Sequence, residues 1–207
     1  LGDLDALDLA VSALLPMEDL FLALRFAKQH LGARPVFVSR RAQGFADDIL
    51  IRADKDPDGA GLAVIAEHFG IELKPLDGLE AKAERNLMAL CPEADEGSLA
   101  IASRLSELGA SVVWVSTFTN AATSAATVSL PASSPFERGG TYLNADAIAQ
   151  EGRKVLSAPG QARSPWIQLR NVARVAKLAD GFPATRAEVQ ELLFTEVPAL
   201  AGLDRSS

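Results

Sequence analysis

The chain has 207 residues, 48% of them hydrophobic, enough for one large α/β core without staples, and its single cysteine, Cys91, excludes an intramolecular disulfide and any cluster held by several of its own thiolates. A formal net charge of −7 with scattered basic residues argues against nucleic acid, and no apolar run approaches the ~20 residues that cross a bilayer. The N-terminus shows no basic stretch ahead of an apolar one, so the expectation is a cytoplasmic protein; its start at Leu1 suggests a piece of a longer chain, and removal of a tag would look the same.

Residues 9–13 alternate as a short strand, and Pro16, Glu18 and Asp19 then open a helix reaching about His30, a fixed φ and two acids suiting a helix N-terminus. Leu20, Leu24, Ala27 and Leu31 recur at helical spacing as a core face, and Gly32 stops the helix. Residues 35–39 form the next strand. The apolar triplet 49–51 follows Asp47 and Asp48, and residues 52–61 are polar and glycine-punctuated. They read as a connection with Asp58 near the cap of a helix over 62–69. The other reading is a ligand loop, since Gly59 and Gly61 could admit an anion to that helix, but Asp54, Asp56 and Asp58 would repel phosphate. A calcium loop is discounted, because the twelfth position from Asp54 is Ile65.

Residues 70–75 read as a crossover or strand, 78–86 as an exposed connection, 87–91 as a buried strand ended by Pro92, and 98–108 as a helix closed by Gly109. Two β-branched runs, 112–115 and 127–130, are expected as buried strands around a helical turn or tight loop at 120–126. Pro131 follows, and Gly139-Gly140 is expected to be the most flexible point of the chain. In open α/β sheets ligands bind where loops leave the C-terminal ends of strands, which directs attention to residues 132–144. A long helix is expected over 161–177 with an apolar stripe of Trp166, Leu169, Val172, Ala173 and Ala176. Residues 180–183 break the chain, Thr185 and Glu188 make a capping box for a last helix, and the tail from Asp204 is expected to fray.

Nucleophile and base motifs are absent, so no catalytic residue is assigned. His30 and His68 lie in helical segments without carboxylate or cysteine at ligand spacing, so no metal site is expected. Cys91 reads as an inert core thiol, Trp166 as a core anchor, and Glu18, Asp19 and Glu137 as caps and loop acids.

Four pieces occur in order: Thr127-Val128-Ser129-Leu130-Pro131; Glu137-Arg138-Gly139-Gly140-Thr141-Tyr142-Leu143-Asn144; Gln150; and Ala158-Pro159-Gly160-Gln161-Ala162-Arg163-Ser164-Pro165-Trp166. Their order and spacing resemble the molybdopterin oxidoreductase superfamily, as do Glu18-Asp19-Leu20-Phe21 and Leu31-Gly32 around the first helix. Residues 52–61 resemble the segment that the G-subunit family of NADH:quinone oxidoreductase (NADH dehydrogenase I, respiratory complex I) carries there, with Asp58 where asparagine is usual. The sequence departs from cofactor-binding relatives at residues 91–96, which replace a turn near the nucleotide with an acidic one, and at Thr127, which replaces an acid. Asp146, Ala147 and Ile148 stand at the positions read for a Glu-Gly-Arg triplet, leaving its anion-pairing arginine missing.

The alternation of strand and helix signals predicts a Rossmann-like three-layer αβα domain with a mostly parallel sheet, placed at residues 1–180, with a helical extension at 181–207. The resemblance implies a non-catalytic, structural domain, peripheral to the inner membrane, whose partners are other domains of the parent chain and subunits of a respiratory electron-transfer complex. It implies no cofactor in this part, with iron–sulfur clusters elsewhere in the parent chain. The alternative it implies is a cofactor-binding domain, as in a formate dehydrogenase, with Thr119, Asn120, Glu137, Gly140, Thr141 and Asn144 lining a molybdopterin dinucleotide site. A third reading is a free-standing nucleotide-binding module.

Overall fold

Short apolar runs separated by helices force parallel pairing, because each strand returns to the same end of the sheet before the next begins. The computed structural model, which describes residues 4–32, 34–90, 96–144, 146–201 and 205–206, accordingly has six parallel strands: β1 (Leu7–Ser12), β2 (Val36–Ser39), β3 (Leu73–Pro75), β4 (Asn86–Leu90), β5 (Val112–Ser116) and β6 (Val128–Pro131). Their spatial order is β3-β2-β1-β4-β5-β6, so the direction of winding reverses between β1 and β4. The readings of Cys91 and of the acidic turn at 91–95 lie outside the described residues.

Successive side chains of a strand point to opposite faces, and the two cores follow that period. Leu9, Val11, Met88, Leu90 and Val115 pack with α1 (Met17–His30) and α2 (Gly59–Phe69), joined by α5 (Pro165–Val175) and α6 (Arg186–Glu196). Ala10, Phe37, Ala89 and Trp114 face the other way, toward α3 (Glu96–Glu107) and α4 (Ala121–Ala125). The result is the three-layer αβα arrangement. Val189, Leu193 and Phe194 of α6 share the first core with α1, so this part of the 181–207 segment is packed into the main body. None of the helices formed by the described residues is long and apolar enough to cross a membrane.

A second, three-stranded sheet holds β7 (Gly140–Leu143), β8 (Ala149–Gly152) and β9 (Arg205–Ser206), with β7 and β8 antiparallel. The tail expected to fray therefore pairs with β8 at 205–206, while Asp204 is outside the described residues.

Three local expectations are corrected. Residues 127–130 do not make a buried strand: β6 is the sheet edge, with no covering strand on its outer flank among the described residues, and Val128 is 45% exposed. Gly139-Gly140 is not a flexible bend. Gly140 is buried at the start of β7 with no positive φ, and a Cβ there would overlap Cβ of Pro16, so the glycine serves close approach. The helix expected over 161–177 begins only at Pro165, because Ser164 precedes a proline and is held extended and Arg163 bridges to Ala132 beside β6, and it ends at Val175. Residues 49–51 form an exposed turn in which all three amides donate to Asp47 Oδ1.

Candidate functional site

The winding reversal places a crevice at the C-terminal ends of β1 and β4, where Rossmann-type sheets receive a ligand. β1 leaves this crevice through Ala13, Leu14, Leu15 and Pro16 into α1, with Ala13 and Leu15 fully buried. Such an apolar entry contributes no glycine-rich turn for a phosphate, and the first turn of α1 carries Glu18 and Asp19, both buried.

These acids do not cap their own helix. Glu18 Oε2 accepts the Thr141 amide at 2.8 Å, and Oε1 accepts the Thr141 hydroxyl at 2.9 Å and Arg186 Nε at 3.1 Å. Gln190 Nε2 donates to Thr141 Oγ1 at 2.9 Å, and Arg186 Nη2 reaches Glu151 at 2.9 Å. Asp19 Oδ1 accepts the Trp166 amide at 2.8 Å, at the first turn of α5, and its Oδ2 lies 3.8 Å from Arg138 Nε. Asp58, at the start of α2, accepts the Leu143 amide at 2.8 Å. Three buried carboxylates at the starts of α1 and α2 thus hold β7 and the start of α5 across the crevice, through backbone amides that would otherwise be buried without acceptors.

Their electrostatics follow from burial. Desolvation lifts the Asp19 carboxyl to about 6, opposed by Arg138 and the Trp166 amide. Burial, which favours the neutral acid form, pushes Asp58 well above the ordinary range, while the hydrogen bond from the Leu143 amide favours the ionised form and opposes the rise. Burial also raises the Tyr142 phenol to about 12. For Asp19 the folded value exceeds the unfolded 3.8, so its stabilising contribution is complete below 3.8 and is lost as pH rises through about 6. Asp19→Asn keeps an acceptor for Trp166 but cannot ionise. The stability of that variant relative to wild type is expected to rise by about 2–3 kcal/mol between roughly pH 4 and pH 7 in urea unfolding; a flat difference contradicts the assignment.

The residues expected to line a dinucleotide site do not share one hollow. Thr119 is exposed in the β5–α4 connection, and Asn120 caps α4 through a reciprocal bond with Thr123. Glu137 Oε2 accepts the Ser134 amide in a turn, and Thr141 is bound to Glu18. Asn144 Oδ1 accepts the Asp146 and Ile148 amides and borders a hollow beside residues 47–52. Gly140 lines a different cavity of about 430 Å³, with Leu14, Phe136, Tyr142 and the arginines Arg41, Arg138 and Arg153. Arg138 is buried and donates to the Ser133 carbonyl, whereas Arg153 is exposed. Among the described residues no group of three or more His, Cys, Asp or Glu is placed to hold a metal.

Arg153 corrects one expectation. A Glu-Gly-Arg triplet is present as Glu151-Gly152-Arg153, just after Gln150, and placing it at 146–148 overlooks it. Sequence reasoning also misses Glu18, Asp58 and Arg186 as site residues. No local signal exists for them, since their partners are 85 to 168 residues away in sequence.

Residues 87–175, from β4 through α5, match the molybdopterin oxidoreductase family. That match takes in Pro131, Thr141, Arg153 and Trp166, so this part of the chain is similar to oxidoreductases of that family. No curated protein matches the chain.

Proposed function

We propose that the protein is a structural, non-catalytic domain of molybdopterin oxidoreductase type, part of the G subunit of NADH:quinone oxidoreductase, where it holds other domains and subunits of a respiratory complex at the inner membrane. The observation that carries this reading is the crevice itself, crossed by β7, whose amides are bound to Glu18 and Asp58. Against a pterin dinucleotide at the α1 entry stand the two buried acids and the close approach of Gly140 to Pro16, where a phosphate would need room. Residues 52–61 support the assignment to that subunit by their resemblance.

A scaffold needs docking surface, and apolar side chains gather on loops that leave the C-terminal edge of the sheet. Phe45 and Leu50 after β2, Phe118 after β5 and Phe136 after β6 are 72%, 84%, 69% and 66% exposed. These loops emerge on one edge because all six strands are parallel.

The second reading, a cofactor-binding domain, is favoured by Arg41, Arg138 and Arg153 around the 430 Å³ cavity, a size within the range of small-molecule sites. There the arginines would hold an anionic group of a bound dinucleotide, and Tyr142 would border it. Calorimetric titration with GDP and with NADH separates the two readings. The scaffold reading expects no saturable heat from either ligand. Saturable binding that Arg153→Ala weakens by about tenfold or more would replace it with the cofactor reading.

A further inference from the structure

Independently of that reading, we infer that the C-terminal half of α5 is a docking surface for an acidic polypeptide segment. Arg170, Arg174 and Lys177 recur at helical spacing and line an open hollow of about 590 Å³ together with Asp180 and Phe182. Arg170 and Arg174 lie one turn, ~6 Å, apart along α5, and Lys177 follows two residues past its last helical residue, Val175, on the same hollow.

Arg170 and Lys177 are placed in ways that α5 alone does not require. Arg170 lies with its guanidinium carbon 5.2 Å from the centroid of the Trp166 ring and donates to the carbonyls of Pro183 and Ala184, while its Nε is buried with no acceptor among the described residues. Lys177 holds a left-handed backbone, φ 59°, where glycine would sit without strain. Arg174 is exposed, and among the described residues neither it nor Lys177 has an ion pair. The carbonyls at the end of the helix account for the sign of these residues but not for the strain at Lys177 or the open valence of Arg170.

Charge complementarity names the occupant. The chain carries −7 overall, so an acidic partner is repelled by most of its surface and attracted here, which fixes orientation as well as contact. A compact dianion would face the negative end of the α5 dipole, whereas two or three carboxylates spaced along a segment match cations distributed over the last turns of α5 and the residue that follows its cap. Of the two acids nearby, Asp180 lines the hollow, and Glu188 accepts the Ala184 amide. Phe182, half-buried, adds an apolar floor.

The test is fluorescence anisotropy of a labelled peptide of alternating Glu and Ala with the intact chain at low salt. Wild type is expected to bind it saturably, and the exposed double variant Arg174→Glu, Lys177→Glu to bind it at least about tenfold more weakly with an unchanged melting temperature. Arg153→Glu, at the strand-end cavity, is expected to leave the affinity unchanged, which also separates this surface from the cofactor reading. Absence of binding, equal binding by the double variant, or displacement of the peptide by equimolar inorganic phosphate overturns the proposal, the last by assigning a small-anion site instead.

Discussion

Glu18→Leu is expected to lower stability by about 3–5 kcal/mol, close to the whole margin of many domains. The leucine would fill similar space but leave the Thr141 amide, its hydroxyl and the Arg186 guanidinium without the carboxylate that takes all three, in a site where Glu18 is 2% exposed. Arg186 keeps Glu151 on its outer side, so its charge is not stranded, but Thr141 is buried and cannot turn to water. Glu18→Gln retains one acceptor and is expected to cost less, about 1–3 kcal/mol. Urea unfolding of both variants at neutral pH reads the order. A leucine variant within ~1 kcal/mol of wild type would mean that the carboxylate does not hold β7 in place.

Trp114→Ala is expected to cost a similar 3–5 kcal/mol, roughly, for a different reason. Phe37, Ala10, Ala89 and Trp114 form one row across β2, β1, β4 and β5, each opposite its neighbour in the ladder. The two alanines at the centre leave room that the flanking aromatic rings and α3 fill, and Trp114 is fully buried there with Ile101 and Ala122. Removing the indole opens a cavity that close-packed neighbours cannot collapse. Its Nε1–H has no acceptor among the described residues, so Trp114→Phe discards an unsatisfied donor along with one ring. Thermal and urea unfolding are therefore expected to place Trp114→Phe well above Trp114→Ala. Equal losses would show that the indole nitrogen has a partner.

These two residues mark what sequence reasoning reaches. Val112 to Val115 announces a strand by composition, and the period of two then assigns Trp114 to one face, so the core around it is legible. β6 reads the same way, yet it lies at the edge: local pattern specifies a strand but not how many neighbours it has. Glu18 looks like a helix-entry acid because most acids in a first turn are, and only the fold brings Thr141, 123 residues later, to its oxygens. Gly140 likewise signals flexibility in isolation, whereas the approach of Pro16 decides its role. Arg153 is different in kind: its triplet stands in the sequence beside Gln150, and assigning those positions to 146–148 conceals it.

What joins the stability of Glu18 to the scaffold reading is the segment that both concern. If β7 is held across the strand ends by buried carboxylates, the crevice is closed by the chain itself; if β7 opens readily, a ligand can enter. Native-state hydrogen exchange of the Thr141 and Leu143 amides, which donate to Glu18 and Asp58, measures this directly. The account predicts protection approaching that of the central strand β1, and its loss at Thr141 in Glu18→Leu. Exchange of both amides at the rate of exposed turns, while β1 stays protected, would contradict it and leave the strand-end crevice open to a ligand.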